Sequence, residues 1–233
     1  MFLDWNVRTL QWYADAEEHT GFFRALAAEI APSIAGAQSL CDLGCGPALL
    51  DFEIAPLVKS VECADTSEAA LAFVAERAQA LGLHNIFPVL ADCEHPSGRW
   101  DVAFMSFFGS RHLDRYLPLC KKLIAVVSQS SDAALFPGKD RGYVRNSAQN
   151  TAKYLDSREI DYKLVWKRQE FGQPFSSLEE ARDYVKLYAP DVCAEEREFF
   201  LKQRIVKTGS AAFPWYLPRK KTVGIFFING GLK

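Results

Sequence analysis

The sequence predicts an α/β fold built on a doubly wound, mostly parallel sheet, and three observations carry that expectation. Strand-like apolar runs alternate with helix-periodic segments between Leu40 and Val127. A glycine turn, Gly44-Cys45-Gly46, stands where the first of those runs hands over to a helix. The chain has 233 residues, enough for one large α/β domain or for one domain carrying an added lobe.

Taken in order, residues 1–36 read as an N-terminal helical segment. Apolar residues recur at helical spacing from Trp5 to Ile30, with Phe22, Leu26 and Ile30 in line and Phe23 and Ala27 beside them, and Pro32 closes the run. Ser39 to Asp42 reads as a short strand stopped by Gly44 and Gly46, and the helix after it presents Leu50, Ile54, Leu57 and Val58. Ser60 to Ala64 is a second strand ending at Asp65. Ser67 can cap the next helix, whose face is Leu71, Val74, Ala75, Ala78 and Leu81, and Gly82 ends it. Ile86 to Leu90, Trp100 to Met105 and Leu123 to Val127 supply three more strands. Strand, helix, strand at this spacing indicates parallel pairing through right-handed crossovers.

Past Ser128 the rhythm changes. A polar stretch from Gln129 to Arg141 carries Gly and Pro signals, and Asn146 to Leu155 reads as helical. Tyr162, Leu164 and Trp166 alternate as a strand does. Ser177 and Glu180 form a capping box ahead of a face made by Leu178, Ala181, Val185 and Tyr188. Ala194 to Lys207 reads as another helix and Thr222 to Asn229 as a final strand. Residues 129–210 are therefore expected to interrupt a single domain, 1–233, as a helical insertion after the fifth strand that forms a lid or substrate lobe.

Hydrophobic residues make up 49% and charged ones 24%, the balance of a soluble globular protein. A net charge of -2 gives no field that would gather nucleic acid or an acidic membrane surface, so neither partner is expected. Arg219-Lys220-Lys221, just before the last apolar run, reads as a solvated edge or gatekeeper. With no leader pattern and no apolar run of membrane-spanning length, a cytoplasmic protein is expected. The six cysteines, Cys41, Cys45, Cys63, Cys93, Cys120 and Cys193, lack paired C-x2-C spacing and read as free, buried thiols, with no metal site.

The glycine turn serves dinucleotides and other nucleoside cofactors alike, and three neighbours discriminate. A dinucleotide fingerprint wants Gly or Ala where Leu49 stands, since Leu crowds the helix against the strand. Asp42, two residues before the first glycine, would repel a pyrophosphate but suits a cationic amino-acid group, reached directly or through water. Asp65 lies about 20 residues on, where an acid accepts from both ribose hydroxyls. A ligand with a ribose, a positive charge and no diphosphate is implied, and S-adenosylmethionine fits. On a plainer reading, Asp65 caps the helix that follows and Asp92 is a turn residue.

Asp42-Leu43-Gly44-Cys45-Gly46-Pro47-Ala48 resembles the first motif of the class I S-adenosylmethionine-dependent methyltransferases, with Ala48 in place of their third glycine. Glu62-Cys63-Ala64-Asp65-Thr66-Ser67 resembles their second motif, and Ala91-Asp92-Cys93 the stretch where an acid meets the adenine amino group. Trp100-Asp101-Val102-Ala103-Phe104-Met105-Ser106 resembles the fourth motif, which lines the methyl-transfer site. The resemblance implies a seven-stranded, Rossmann-like sheet with an antiparallel last strand. It also implies that S-adenosylmethionine is held by Asp42, Leu43, Gly44, Cys45, Gly46, Ala48, Asp65, Thr66, Asp92, Cys93 and Ser106.

Methyl transfer from a sulfonium is an in-line displacement that needs a base only when the acceptor must lose a proton. His112 is the candidate base, set against the plainer reading of a surface histidine. Tyr13, Phe107, Tyr143 and Arg145 are candidate substrate contacts. Trp5, Trp12 and Tyr13 form either an aromatic lid or part of the core. A small-molecule acceptor leads. A nucleic-acid methyltransferase is disfavoured by the mild acidity and by the absence of an Asn/Asp-Pro-Pro-Tyr motif, to which Phe213-Pro214-Trp215-Tyr216 bears only a superficial likeness in the wrong place. A non-catalytic cofactor-binding sensor or assembly protein remains the different class. A nicotinamide dehydrogenase is disfavoured by Asp42 and Leu49.

Overall fold

Asn6 opens the first helix by accepting from the backbone N–H groups of Arg8 and Thr9, while its own N–H donates to the Thr9 hydroxyl. The structure, a computed structural model, describes residues 5–110, 112–129, 134–138 and 146–232. Helix α1, Val7–Thr20, ends at Gly21, whose φ of 61° turns the chain straight into α2, Phe22–Ile34. The helical run expected to end at Pro32 is thus two helices broken at Gly21. Pro32 stays inside the last turn of α2, where burial of Ile30 and Ile34 holds the helix.

Strand β1 (Leu40–Leu43) leads through the glycine turn to α3 (Leu49–Ile54), and β2 (Val61–Asp65) to α4 (Glu68–Ala80). A 3-10 turn over Ala55–Leu57 ends the third helix early, so Leu57 leaves the expected face and is exposed. Ser67 caps α4 through the Ala70 N–H, but its buried face is Ala70, Leu71, Val74 and Ala78, and Ala75 and Leu81 point outward. Next come β3 (Ile86–Leu90), β4 (Trp100–Ser106), β5 (Cys120–Ser128), α5 (Ala148–Ser157) and β6 (Tyr162–Glu170). They are followed by β7 (Gln173–Phe175), α6 (Leu178–Tyr188), α7 (Ala194–Arg204), β8 (Val206–Lys207), β9 (Trp215–Leu217) and β10 (Lys220–Asn229).

Seven strands form one sheet in the order β3-β2-β1-β4-β5-β10-β6. The first five pair in parallel, and β10 runs antiparallel to both β5 and β6. This is the doubly wound, mostly parallel sheet expected, with its reversed last strand. Helices α2, α3 and α4 cover one face around Leu40, Phe104, Val126 and Ile225, and α5 packs on the other around Cys41, Met105 and Leu123.

The stretch 129–210 divides into two parts. Helix α5 and strand β6 complete the main sheet, and the lobe proper lies between β6 and β10. There β7, β9 and β8 form a small sheet, and Phe175, Tyr184, Val185, Leu201 and Leu217 pack with Trp12 of α1. Ser177 caps α6 through the Glu180 N–H, but the Glu180 carboxylate reaches Ser176 and the Trp12 indole instead of closing the expected box. Helix α7 stops at Arg204, and Val206-Lys207, expected to be helical, pairs in the small sheet. Among the described residues no helix is long and apolar enough to cross a membrane, and no group of three or more His, Cys, Asp or Glu is placed to hold a metal. Five cysteines are buried, whereas Cys193 is exposed at the start of α7.

Candidate cofactor and acceptor site

Between β1 and α3 the backbone turns through left-handed conformations at Gly44 (φ 76°), Gly46 (φ 52°) and Ala48 (φ 51°). The Gly44 N–H donates to the Ala64 carbonyl at 2.8 Å and reaches Cys93 Sγ at 3.2 Å. Asp65, at the end of β2, accepts from the Gly46 N–H at 2.8 Å through Oδ2 and from the Ser67 N–H at 2.9 Å through Oδ1. An ionised carboxylate has about four acceptor sites, so lone pairs on both oxygens remain for ligand hydroxyls. Thr66 beside it is exposed, while Leu43, Cys45, Ala48 and Leu49 are buried in or behind the turn.

Asp42 lies behind that turn, fully buried against Asp51 of α3. Asp42 Oδ1 and both Asp51 oxygens have no hydrogen-bond donor among the described residues. Burial, then the charge of Asp51, pushes the Asp42 carboxyl well above the usual carboxylate range. Burial raises Asp51 too, and its pairing with Asp42 partly offsets that rise. A proton held between the two oxygens is the arrangement that satisfies both groups. Asp42, the carboxylate expected beneath the turn, is there half of an acid pair. Asp51 was missed because it sits in a helix read only for its apolar face.

Aromatic rings close over the front of the turn. A Cβ built on Gly46 would lie 3.0 Å from the Trp5 indole, and one on Gly44 only 2.3 Å from the ring of Phe108. Trp5 meets Tyr13 edge-on at 5.4 Å between centroids, and Tyr13 meets Phe171 at 5.4 Å. Phe171 packs on Phe22 at 4.4 Å, and Phe22 stacks with Phe107 at 6.2 Å. Phe107, next in the chain to Phe108, has a φ of 59°, a left-handed conformation that costs a non-glycine residue about 1–3 kcal/mol and gathers at functional sites.

Lys221 stands inside this ring. Its Nζ lies 3.4 Å from the Phe107 centroid, 5.2 Å from Phe171 and 5.5 Å from Phe22. The Arg219 guanidinium lies over the Phe171 ring at 5.6 Å. Of the three charges expected on a solvated edge, only Lys220 is exposed. The reason is periodicity: Lys221 shares the pleat phase of Val223 and Ile225, which face the α2 side of the sheet. The Arg-Lys-Lys run therefore carries two cations onto the aromatic cluster, which composition alone does not reveal.

The remaining expected site residues scatter. Asp92 is exposed and tied into its own turn, accepting from the Glu94 N–H and meeting His95 at 2.9 Å, contacts that hold its carboxyl low. Ser106 ends β4 with a buried hydroxyl that has no partner among the described residues. His112 is exposed, and its Nδ1 meets the Tyr154 hydroxyl at 3.1 Å while that hydroxyl donates to Asp114. His112 thus takes part in a surface network with Tyr154 of α5 and Asp114. Trp12 is core, whereas Trp5 and Tyr13 line the site. Tyr143 and Arg145 lie outside the described residues. A cavity of about 500 Å³ between α1 and α6, lined by Arg8, Asp183, Lys186 and Arg197, shares no residue with the glycine turn.

The turn fits S-adenosylmethionine. Gly44 and Gly46 carry no side chain where the rings of Phe108 and Trp5 approach the turn, Asp65 retains acceptor capacity, and the buried Ser106 hydroxyl has no partner among the described residues. No family model and no curated protein matches the sequence. Solved structures do match the fold. The YcgJ protein from Bacillus subtilis aligns with a TM-score of 0.54 at 14% identity, covering 89% of this chain and 99% of that one. A putative methyltransferase from Bacillus halodurans C-125 gives 0.52 at 16% identity, covering 88% and 97%. The [4+2]-cyclase SpnF gives 0.52 at 16% identity, covering 89% and 81%. Sheet order, glycine turn and these alignments agree, and the chain has the fold of the class I S-adenosylmethionine-dependent methyltransferases.

Proposed function

We propose that the chain is an S-adenosylmethionine-dependent methyltransferase acting on a small molecule. The observation that carries this reading is the aromatic ring closing over the glycine turn from Trp5 through Tyr13, Phe171 and Phe107 to Phe108. A duplex or a folded RNA needs an open basic track, and a ring of aromatic side chains suits a compact, largely apolar acceptor.

When bound, S-adenosylmethionine supplies a methyl group activated on a sulfonium. Asp65, at the glycine turn, accepts its hydroxyls. The rings of Phe107 and Phe108 exclude water from the end of β4 and hold the acceptor, so much of the rate comes from alignment. The chain's own base is dispensable where the acceptor arrives ionised.

One protein of this fold is described as a [4+2]-cyclase, so product analysis rather than fold decides the reaction. The test is transfer of a labelled methyl group from S-adenosylmethionine to ring-bearing small molecules, with RNA and DNA as parallel arms. Label in a small molecule supports the reading. Label in nucleic acid alone, or in nothing while the cofactor binds, overturns it.

A further inference from the structure

We infer that the cavity between α1 and α6 is a second binding site, which takes a small organic anion: a carboxylate on a short apolar body. The site shares no residue with the glycine turn and stands whether or not the chain transfers methyl groups.

The cavity holds about 500 Å³, room for a small organic molecule. Three cations from three helices line it, Arg8 of α1, Lys186 of α6 and Arg197 of α7, against one lining carboxylate, Asp183. A chain with a net charge of -2 thus gathers positive charge in one recess.

Two of the cations are already fixed in place. Arg8 gives Nη2 to Asp183 at 2.6 Å and lies over the Trp12 ring at 4.9 Å from its centroid. Arg197 donates through Nη1 to the carbonyls of Ala189 and Val192. Carbonyls hold the guanidinium but leave its charge uncompensated, and a guanidinium has five N–H donors to share. Glu195 feels the Arg197 charge, yet it is exposed and engaged by its own N–H and by Cys193. The Lys186 ammonium, exposed on the last turn of α6, has no ion-pair or hydrogen-bond partner among the described residues.

A planar carboxylate matches these donors, since guanidinium forks pair with it side by side and an ammonium swings onto it from the rim. Leu187, 45% exposed, and Pro190 give the cavity an apolar wall that a bare inorganic anion leaves in water. An amine would meet like charge. An anion seated here bridges α1, α6 and α7, so it binds the folded chain alone and stabilises it.

The probe is benzoate, added to the purified full chain at constant ionic strength with chloride as the balancing anion. The expected result is a saturable rise in the thermal unfolding midpoint, with hydrogen exchange slowed in α6 and α7 more than in β1 or β4. Lys186→Gln should raise the half-saturating benzoate concentration about threefold, and Lys186→Glu about tenfold. Lys186→Arg should behave as the wild type. Because Lys186 is exposed, these variants leave the core intact. Benzylamine should give no saturable rise, and inorganic phosphate should require a higher concentration than benzoate. No saturable rise with benzoate, an undiminished response in Lys186→Glu, or phosphate acting at a concentration equal to or below that of benzoate overturns the inference.

Discussion

The ring of Phe108 lies so close over Gly44 that a Cβ on that glycine would sit 2.3 Å from Cδ2. Gly44→Ala therefore meets both a steric clash and a backbone φ of 76° that L-residues avoid. The expected cost is about 1–3 kcal/mol of stability, read from urea unfolding, with loss of S-adenosylhomocysteine binding. An alanine variant of wild-type stability would contradict the packing described here.

Trp5 covers Gly46 as Phe108 covers Gly44, so a ligand pressed against the turn must meet the indole. Saturating S-adenosylhomocysteine is expected to change tryptophan emission in the wild type and to leave Trp5→Phe almost unchanged. Trp12 and Trp100 are buried elsewhere and serve as the constant background. An equal emission change in Trp5→Phe would remove Trp5 from the site.

The Asp42–Asp51 pair sets a pH dependence. Both carboxyls are raised by burial, so the folded state holds protons that the unfolded chain releases near pH 4. Where the native state binds more protons, stability falls as pH rises, from about pH 4 upward until the pair has lost its shared proton. Asp51→Asn replaces one titrating group with an amide able to donate to Asp42. The decline should become shallower, and stability at pH 8 should rise by about 1–3 kcal/mol. Asp15 and Glu17, also raised by burial, leave a residual slope in the variant. Unfolding curves at pH 5 and pH 8 check this, and an undiminished decline would contradict it.

Glu180 ties the lobe to the N-terminal helix by accepting from the Trp12 indole at 2.9 Å. Glu180→Ala leaves a buried indole N–H without its partner, a loss of about 1–3 kcal/mol. Hydrogen exchange should quicken in α6 and α7 more than in β1 or β4. Uniform exchange across both regions would place the anchor elsewhere.

Local pattern carried the first half of the fold. Strands β1 to β4, the glycine turn and the Ser67 cap are dictated by residues close in sequence, and each was legible. What escaped depends on partners distant in the chain. Gly21 breaks a helix whose apolar spacing runs through it, because two short helices bury Phe22 and Ile30 better than one straight rod. Asp51 gains meaning only once α3 brings it against Asp42, and Lys221 only once the pleat of β10 aims it at Phe107. Val206 and Lys207 follow a helical pattern but are drawn into a strand by β9.

On the proposed function, the turn before α3 holds S-adenosylmethionine with Asp65 at its sugar. Calorimetric titration of the purified chain with S-adenosylhomocysteine and with NAD, in the wild type and in Asp65→Ala, tests it most directly. Micromolar binding of S-adenosylhomocysteine, at least tenfold weaker in Asp65→Ala, and no heat with NAD are the expected results. Absence of S-adenosylhomocysteine binding to folded wild-type protein, or tight binding of NAD, would contradict it.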